Sequence, residues 1–138
     1  FEFGMGTSTL YFKDKCCYLM SVEHDEEWYE KISKQFPLNG DFLLLHVNRP
    51  YNTILDMHTD LIYDIIIIDG RDRVKCIQSS ITRLKHGSWL ILDNSEREYY
   101  QRGIALMKDW NRIDCKQNHP DKYGFTYPGW TTSIFIKP

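Results

Sequence analysis

The stretch Tyr63-Asp64-Ile65-Ile66-Ile67-Ile68-Asp69-Gly70 constrains this 138-residue chain more than any other. Consecutive isoleucines are stiff at χ1 and favour extended backbone. Side chains alternate across a strand, so an unbroken isoleucine run sets bulky apolar groups on both faces, and both faces need cover. Such a strand belongs inside a parallel sheet flanked by helices. No apolar run in the chain is long enough to span a bilayer, and no secretory signal pattern occurs.

The rest of the chain supplies the matching pieces. Phe1-Glu2-Phe3 reads as the end of a strand, and Cys17–Val22, Phe42–Val47 and Trp89–Leu92 are further apolar runs of strand length. Between them the period changes. Thr7 to Phe12 reads as a short helix, and Trp28, Ile32 and Phe36 recur at helical spacing before Pro37-Leu38-Asn39-Gly40 breaks the pattern. Val74, Ile77, Ile81 and Leu84 share a helical face with Gly87 as the stop, and Tyr100, Ile104, Met107 and Trp110 mark another helix. Residues 51–61 stay open between a loop and a short helix. Arg112 to Lys116 and Thr131 to Ile136, joined by a long polar loop without a helix, read as an antiparallel pair. The expectation is one α/β domain over residues 1–138. Because Phe1 stands where a strand is already under way, the N-terminal part of that domain is expected to be lacking.

A net charge of −2 gives no general pull toward nucleic acid or anionic lipid, so neither is expected as a partner. Cys16, Cys17, Cys76 and Cys115 form no Cys-x-x-Cys pair and are expected to be reduced, mostly buried thiols of a cytoplasmic protein.

Chemistry concentrates where the strands end. Gly4 and Gly6 open a tight turn after the first strand, and Thr7, Ser8 or Thr9 is positioned to cap the helix that follows. The later strands run into Glu23, Asp69 and Asp93, and Glu2 precedes the turn. In an open parallel sheet these carboxyl ends line the ligand crevice, where converging carboxylates repel unless a ligand or cation compensates them. Each acid taken singly is equally well a helix N-cap. Glu23 lies 17 positions after Gly6, the separation at which an acid meets the ribose hydroxyls of an adenosine cofactor. The dinucleotide pattern Gly-x-Gly-x-x-Gly fails, because position 9 is Thr, and no Gly-Lys-Ser/Thr phosphate loop exists. An acid ahead of the turn suits an ammonium group better than a pyrophosphate. The residues point to a cationic, adenosine-bearing ligand and leave a nicotinamide-dependent oxidoreductase as the weakest reading.

Four pieces in order, Glu2 to Thr9, Val22 to Asp25, Ile68-Asp69-Gly70 and Gly87 to Asn94, make the chain resemble the class I S-adenosylmethionine-dependent methyltransferases. The resemblance implies a Rossmann-like three-layer α/β/α sandwich with a mostly parallel seven-stranded sheet, order 3-2-1-4-5-7-6, and an antiparallel C-terminal strand. It implies S-adenosyl-L-methionine as cofactor, with Gly4 and Gly6 along its methionine part, Glu2 near its amino group, Thr7 and Ser8 in the turn, Glu23 on the ribose and His24 near the adenine. Asp69 would face cofactor and acceptor.

Asp69 with Asp93 and Asn94 also looks like the Mg²⁺ ligand set of catechol- and macrocin-type O-methyltransferases, and hard oxygen ligands suit that ion. The lysine base that the catechol type carries three positions after its first Asp is replaced by Asp72, either a proton acceptor or a surface acid between Arg71 and Arg73. Without a metal, Asp69 remains a cofactor-side acid and Asp93-Asn94 a helix cap. The segment from Lys122 to Trp130 reads equally as a substrate-facing lip or as aromatics packed on the sheet edge. The activity expected is methyl transfer to oxygen of a small molecule or saccharide, and the alternative is a non-catalytic module that keeps cofactor binding.

Overall fold

The computed structural model describes residues 1–36, 42–48, 51–117 and 129–138. Its elements in chain order are β1 (Glu2–Phe3), α1 (Thr7–Phe12), β2 (Leu19–Glu23), α2 (Glu26–Ser33), β3 (Phe42–His46), α3 (Ile54–Met57), β4 (Tyr63–Ile68), α4 (Arg73–Ile81), β5 (Leu84–Leu92), α5 (Gln101–Ile104), β6 (Asn111–Gln117) and β7 (Trp130–Ile136). The sheet order is β3-β2-β1-β4-β5-β7-β6. The pairs among β1 to β5 are parallel, and β7 runs antiparallel to both β5 and β6. This is the seven-stranded, Rossmann-like sheet expected from the sequence.

The isoleucine run does what its chemistry demands. Ile66 and Ile68 are fully buried on one face with Phe3, Val22, Leu90, Leu92 and Phe135, against Cys76 and Ile77 of α4 and Ile104 of α5. The opposite face is covered unevenly. Over β2 and β3, α1 and α2 close a smaller cluster of Met5, Leu19, Ile32 and Phe36. Towards β5, β7 and β6 no described helix covers this face. Trp89 pairs with Ile136, and Ile91 and Ile113 both pair with Ile134, so these side chains share one face, on which Trp89 and Ile113 are 43% and 51% exposed.

Several elements depart from the sequence expectations for local reasons. Leu84 does not end α4; it opens β5 opposite Tyr63 and is buried in the same core as Ile77, which is why its spacing imitates a helix. Gly87, at φ +80°, lies inside β5 where the register shifts, so it relieves an irregularity rather than stopping a helix. Trp28 leaves the buried face it was assigned to and is 39% exposed, since four-residue steps drift around the helix and α2 ends at Ser33, short of Phe36. The stretch marked by Tyr100, Ile104 and Met107 is helical but broken, with 3-10 turns on both sides of α5. Of the cysteines only Cys76 is buried, and burial pushes its thiol up to about 12. The break at residues 37–40 and most of the aromatic segment 122–130 lie outside the described residues. No described helix is long and apolar enough to cross a membrane.

The one-sided cover predicts unequal sensitivity to truncation. Leu90→Ala, at a fully buried site, is expected to lower unfolding free energy by about 2–5 kcal/mol, and Ile113→Ala, on the open face, by under about 1 kcal/mol. Urea unfolding midpoints of the two variants check this.

Candidate functional site: a cleft at the carboxyl ends of the strands

The turn after β1 is organised from below by a buried acid. Glu2 is fully buried, and its carboxylate accepts from the hydroxyls of Ser8, Thr9 (2.5 Å) and Ser21 (2.9 Å). Burial pushes the Glu2 carboxyl up, and the three hydroxyls pull against that shift. Thr9 Oγ1 also accepts from the N–H of Gly6 at 2.7 Å, so the cap of α1 comes from its third residue reaching back. Glu2 and the Ser8 hydroxyl therefore meet each other beneath the turn, while Thr7 is exposed on its outside.

Gly4 and Gly6 are glycines for different reasons. Gly4 has φ +93°, and a Cβ there would stand 2.8 Å from Gly70 N and 2.9 Å from Gly70 Cα. The turns after β1 and β4 thus touch backbone to backbone, which no other residue permits. Gly6 is extended at φ −174°, and a Cβ on it would meet nothing within 4 Å. The fold leaves space beside Gly6 that it does not itself use.

Beside this turn the β2 end is knotted onto Glu23, 5% exposed. Its Oε2 accepts from Met5 N–H at 3.0 Å, and its Oε1 from the N–H groups of His24 (2.7 Å) and Asp25 (2.9 Å). The His24 ring nitrogen Nδ1 lies 2.7 Å from the same Oε1. Asp25 caps α2 by accepting from Trp28 N–H at 2.9 Å, and the Trp28 indole N–H donates to Met5 O at 2.5 Å. Lys31 sits 4.6 Å over the indole ring. The chain carries a signal for Trp28 in retrospect: an indole one turn into the helix that follows an acidic strand end, whose N–H needs an acceptor.

The wall formed by β4 and β5 is held by a buried cation. Arg73, 7% exposed at the start of α4, donates Nε–H to Gly70 O (2.8 Å) and Nη2–H to Asp69 O (2.7 Å) and Asp69 Oδ1 (3.1 Å). Its Nη1 donates to Asp93 O and stands 3.8 Å from Asp93 Oδ2. The face of the guanidinium lies over the Tyr100 ring at 5.3 Å. Asp69, half exposed, is pushed up to about 6 by burial first and by the neighbouring Asp93 carboxylate second, with Arg73 opposing.

This geometry bears on the magnesium expectation. Asp69 and Asp93 do come together, but Arg73 already bridges them, and the other Asp93 oxygen accepts from Thr132 Oγ1 at 2.8 Å. Asn94 takes a left-handed turn, φ +51°, and its carbonyl accepts from Arg97 N–H at 3.2 Å. A divalent ion would have to expel a buried, multiply bonded guanidinium, so the donor set does not fit Mg²⁺. Among the described residues no group of three or more His, Cys, Asp or Glu is placed to hold a metal.

Gly4, Glu23, His24 and Asp69 line one cleft of about 1230 Å³, and Asp72, in a left-handed conformation at the start of α4, stands on its rim. The far wall holds residues that sequence reasoning did not assign to the site: Arg97, Tyr99, Tyr100 and Arg102, carried in by the chain after β5. The strand-end acid Asp93 lies just ahead of them, but no local pattern sets these four apart as site residues.

Breaking the Arg73 clamp is expected to be costly. Arg73→Met should lose about 3–5 kcal/mol, because two acids are left facing each other without a cation. Asp69 adds a pH signature. Its folded-state value of about 6 lies above the ordinary 3.8, so the folded protein binds more protons across that interval and stability falls as pH rises from about 4 to 6. Asp69→Asn should flatten that fall, read as melting temperature against pH.

No family model matches the chain, and no curated protein does. Solved structures do. A protein provisionally described as a methyltransferase from Thermoplasma acidophilum is 20% identical with a TM-score of 0.65, over 99% of this chain and 66% of that one. This chain therefore spans just under two thirds of that protein's length. A provisionally named caffeoyl-CoA O-methyltransferase from Staphylococcus aureus is 15% identical with a TM-score of 0.74, over 99% of this chain and 74% of that one. The N-methyltransferase NodS from Bradyrhizobium japonicum, in complex with S-adenosyl-L-homocysteine, is 12% identical with a TM-score of 0.71, over 99% and 76%. An rRNA methylase from Streptococcus thermophilus shares the architecture as well, so the fold serves several acceptors. Strand order, strand directions and these likenesses together give this chain the fold of the class I S-adenosylmethionine-dependent methyltransferases.

Proposed function

We propose that the chain is an S-adenosylmethionine-dependent methyltransferase acting on an oxygen of a small molecule or saccharide. The observation that carries this reading is the convergence of the Gly4 turn, Glu23 and Asp69 on one cleft at the strand ends. The cofactor fits what the residues leave available. The backbone beside Gly6 is open, and Glu23 Oε2 accepts one hydrogen bond among the described residues, from Met5, which leaves acceptor capacity for a ribose hydroxyl. His24 and Trp28 stand on the same side as walls for an adenine ring. Bound there, S-adenosyl-L-methionine supplies an electrophilic methyl group on a sulfonium.

The protein's own contribution is positioning and proton handling. The Gly4–Gly70 contact brings the turn after β1 against the end of β4, so an acceptor hydroxyl held by Asp69 would lie beside the glycine turn that would hold the methyl donor. The Asp69 carboxylate would take the hydroxyl proton as the methyl group is transferred. A group pushed up to about 6 is ionised at neutral pH yet basic enough to accept that proton. Asp72 also lines the cleft, three positions beyond Asp69. Arg73 holds Asp69 in orientation and takes over the neutralisation that an ion would otherwise perform.

Calorimetry with S-adenosyl-L-homocysteine tests the reading. Wild type should bind saturably, and Glu23→Gln should bind at least about tenfold more weakly. Gly6→Ala should keep its unfolding free energy within about 0.5 kcal/mol, because its Cβ meets no protein atom within 4 Å, and a loss of cofactor affinity in that variant would then report contact with the ligand itself. With an accepted hydroxyl substrate, the rate should rise with pH through an apparent value near 6, and that limb should vanish in Asp69→Asn. A folded protein that binds neither cofactor form sinks the proposal.

A further inference from the structure

The charges around the cleft are sorted by wall. On the side of β2 and α2 the ionisable lining groups other than His24 are Glu23, Asp25 and Glu27 with one cation, Lys31, which lies over Trp28. On the opposite side Asp69 and Arg73 compensate each other, and the remaining groups are Arg71, Lys75, Arg97 and Arg102 against Asp72 and Glu98. These cations reach the cleft from two separate chain segments, the start of α4 and the stretch after β5. Burial does not account for that convergence, since Lys75 and Arg102 are exposed and of these cations only Arg73 is buried. Arg97 donates to the hydroxyl of Tyr99, itself 60% exposed, at 3.0 Å, and its Nε lies 4.0 Å from Glu96 Oε1, so its guanidinium is held at the cleft from outside the core.

We infer that the acceptor is a small anion-bearing molecule, carrying a phosphate or carboxylate group that docks on Arg97, Arg102, Arg71 and Lys75 while its hydroxyl faces Asp69. The inference rests on the methyltransferase reading above and adds the acceptor's chemical class. The physical logic is complementary on both walls. A sulfonium ligand is favoured over the acidic wall, and an anion over the basic one, where guanidinium forks bind phosphate or carboxylate in paired hydrogen bonds. A small anion suits the site better than a nucleic acid. The cations occupy one wall only, Asp72 and Glu98 interrupt them, and the chain as a whole carries a net charge of −2, which offers no continuous track for a polyanion.

The test uses the whole chain saturated with S-adenosyl-L-homocysteine, whose own binding is recorded first. Inorganic phosphate and malonate are then titrated at low salt and followed by NMR shifts of the arginine side chains. At least one should bind saturably, at least about tenfold more weakly in Arg97→Ala/Arg102→Ala, and unchanged in Lys108→Ala, an exposed lysine away from the cleft. Saturable cofactor binding with neither anion bound, or equal anion binding by the double variant, overturns the inference and leaves the cofactor reading standing. Failure of S-adenosyl-L-homocysteine to bind strikes the cofactor reading instead, in a separate titration. A single-stranded RNA oligonucleotide is the third probe. Binding to the same arginines with a salt dependence of several phosphates overturns the small-anion inference in favour of a nucleic-acid acceptor.

Discussion

Arg73 is the cation on which the site depends. The strand ends of a parallel sheet gather acids because the helices that follow begin there, and here Asp69 and Asp93 are brought close enough to raise the proton affinity of Asp69. Two such carboxylates in a half-buried place are unfavourable unless a positive charge joins them. The first residue of α4 provides it. Its guanidinium also binds the carbonyl oxygens of Asp69, Gly70 and Asp93, so the ends of β4 and β5 are tied through one side chain. The chain carries its own cation for these acids, packed against the Tyr100 ring.

The same economy governs the first turn. Glu2 and Glu23 look alike as strand-associated acids, yet they act on different parts of the loop. Glu2 lies beneath it and takes the hydroxyls of Ser8, Thr9 and Ser21, and Glu23 stands beside it and takes backbone N–H groups, including that of Met5. Each buried charge is matched by several donors, as buried carboxylates require. The result is a cradle held by several hydrogen bonds, with open space beside Gly6 and a cleft lined by Gly4 and Met5. Positioning of that kind is what an in-line transfer needs, since the reaction is sensitive to small errors of position.

Much of the architecture was legible before any coordinates. Ile65 to Ile68 required burial on both faces, the helical spacings lay between apolar runs, and the absence of a helix before the last strand pointed to an antiparallel ending. Errors arose where two periodicities agree over a short span. Leu84 fits α4 by spacing and the core by contact, and only the pairing with Tyr63 assigns it to β5. Trp28 fits a buried helical face, and only its bond to Met5 O turns it to the cleft. In the cleft, Gly4, Glu23 and Asp69 were recognisable because strand-end acids and glycine turns have local signatures. Arg97, Tyr99 and Arg102 have none, since what makes them part of the site is the return of the chain after β5.

The sequence by itself determined the sheet and its ligand end. Apolar runs and glycine turns are local properties that mark the strands and their ends, and the strand order came from the resemblance of four short motifs to a known fold rather than from the runs themselves. Tertiary structure alone decided how the charges are shared out. Nothing in the order Asp69-Gly70-Arg71-Asp72-Arg73 says that the second arginine folds inward to neutralise Asp69 and Asp93 while the first lines the cleft. Charge compensation depends on distances across strands, and those distances exist only once β4 and β5 lie side by side.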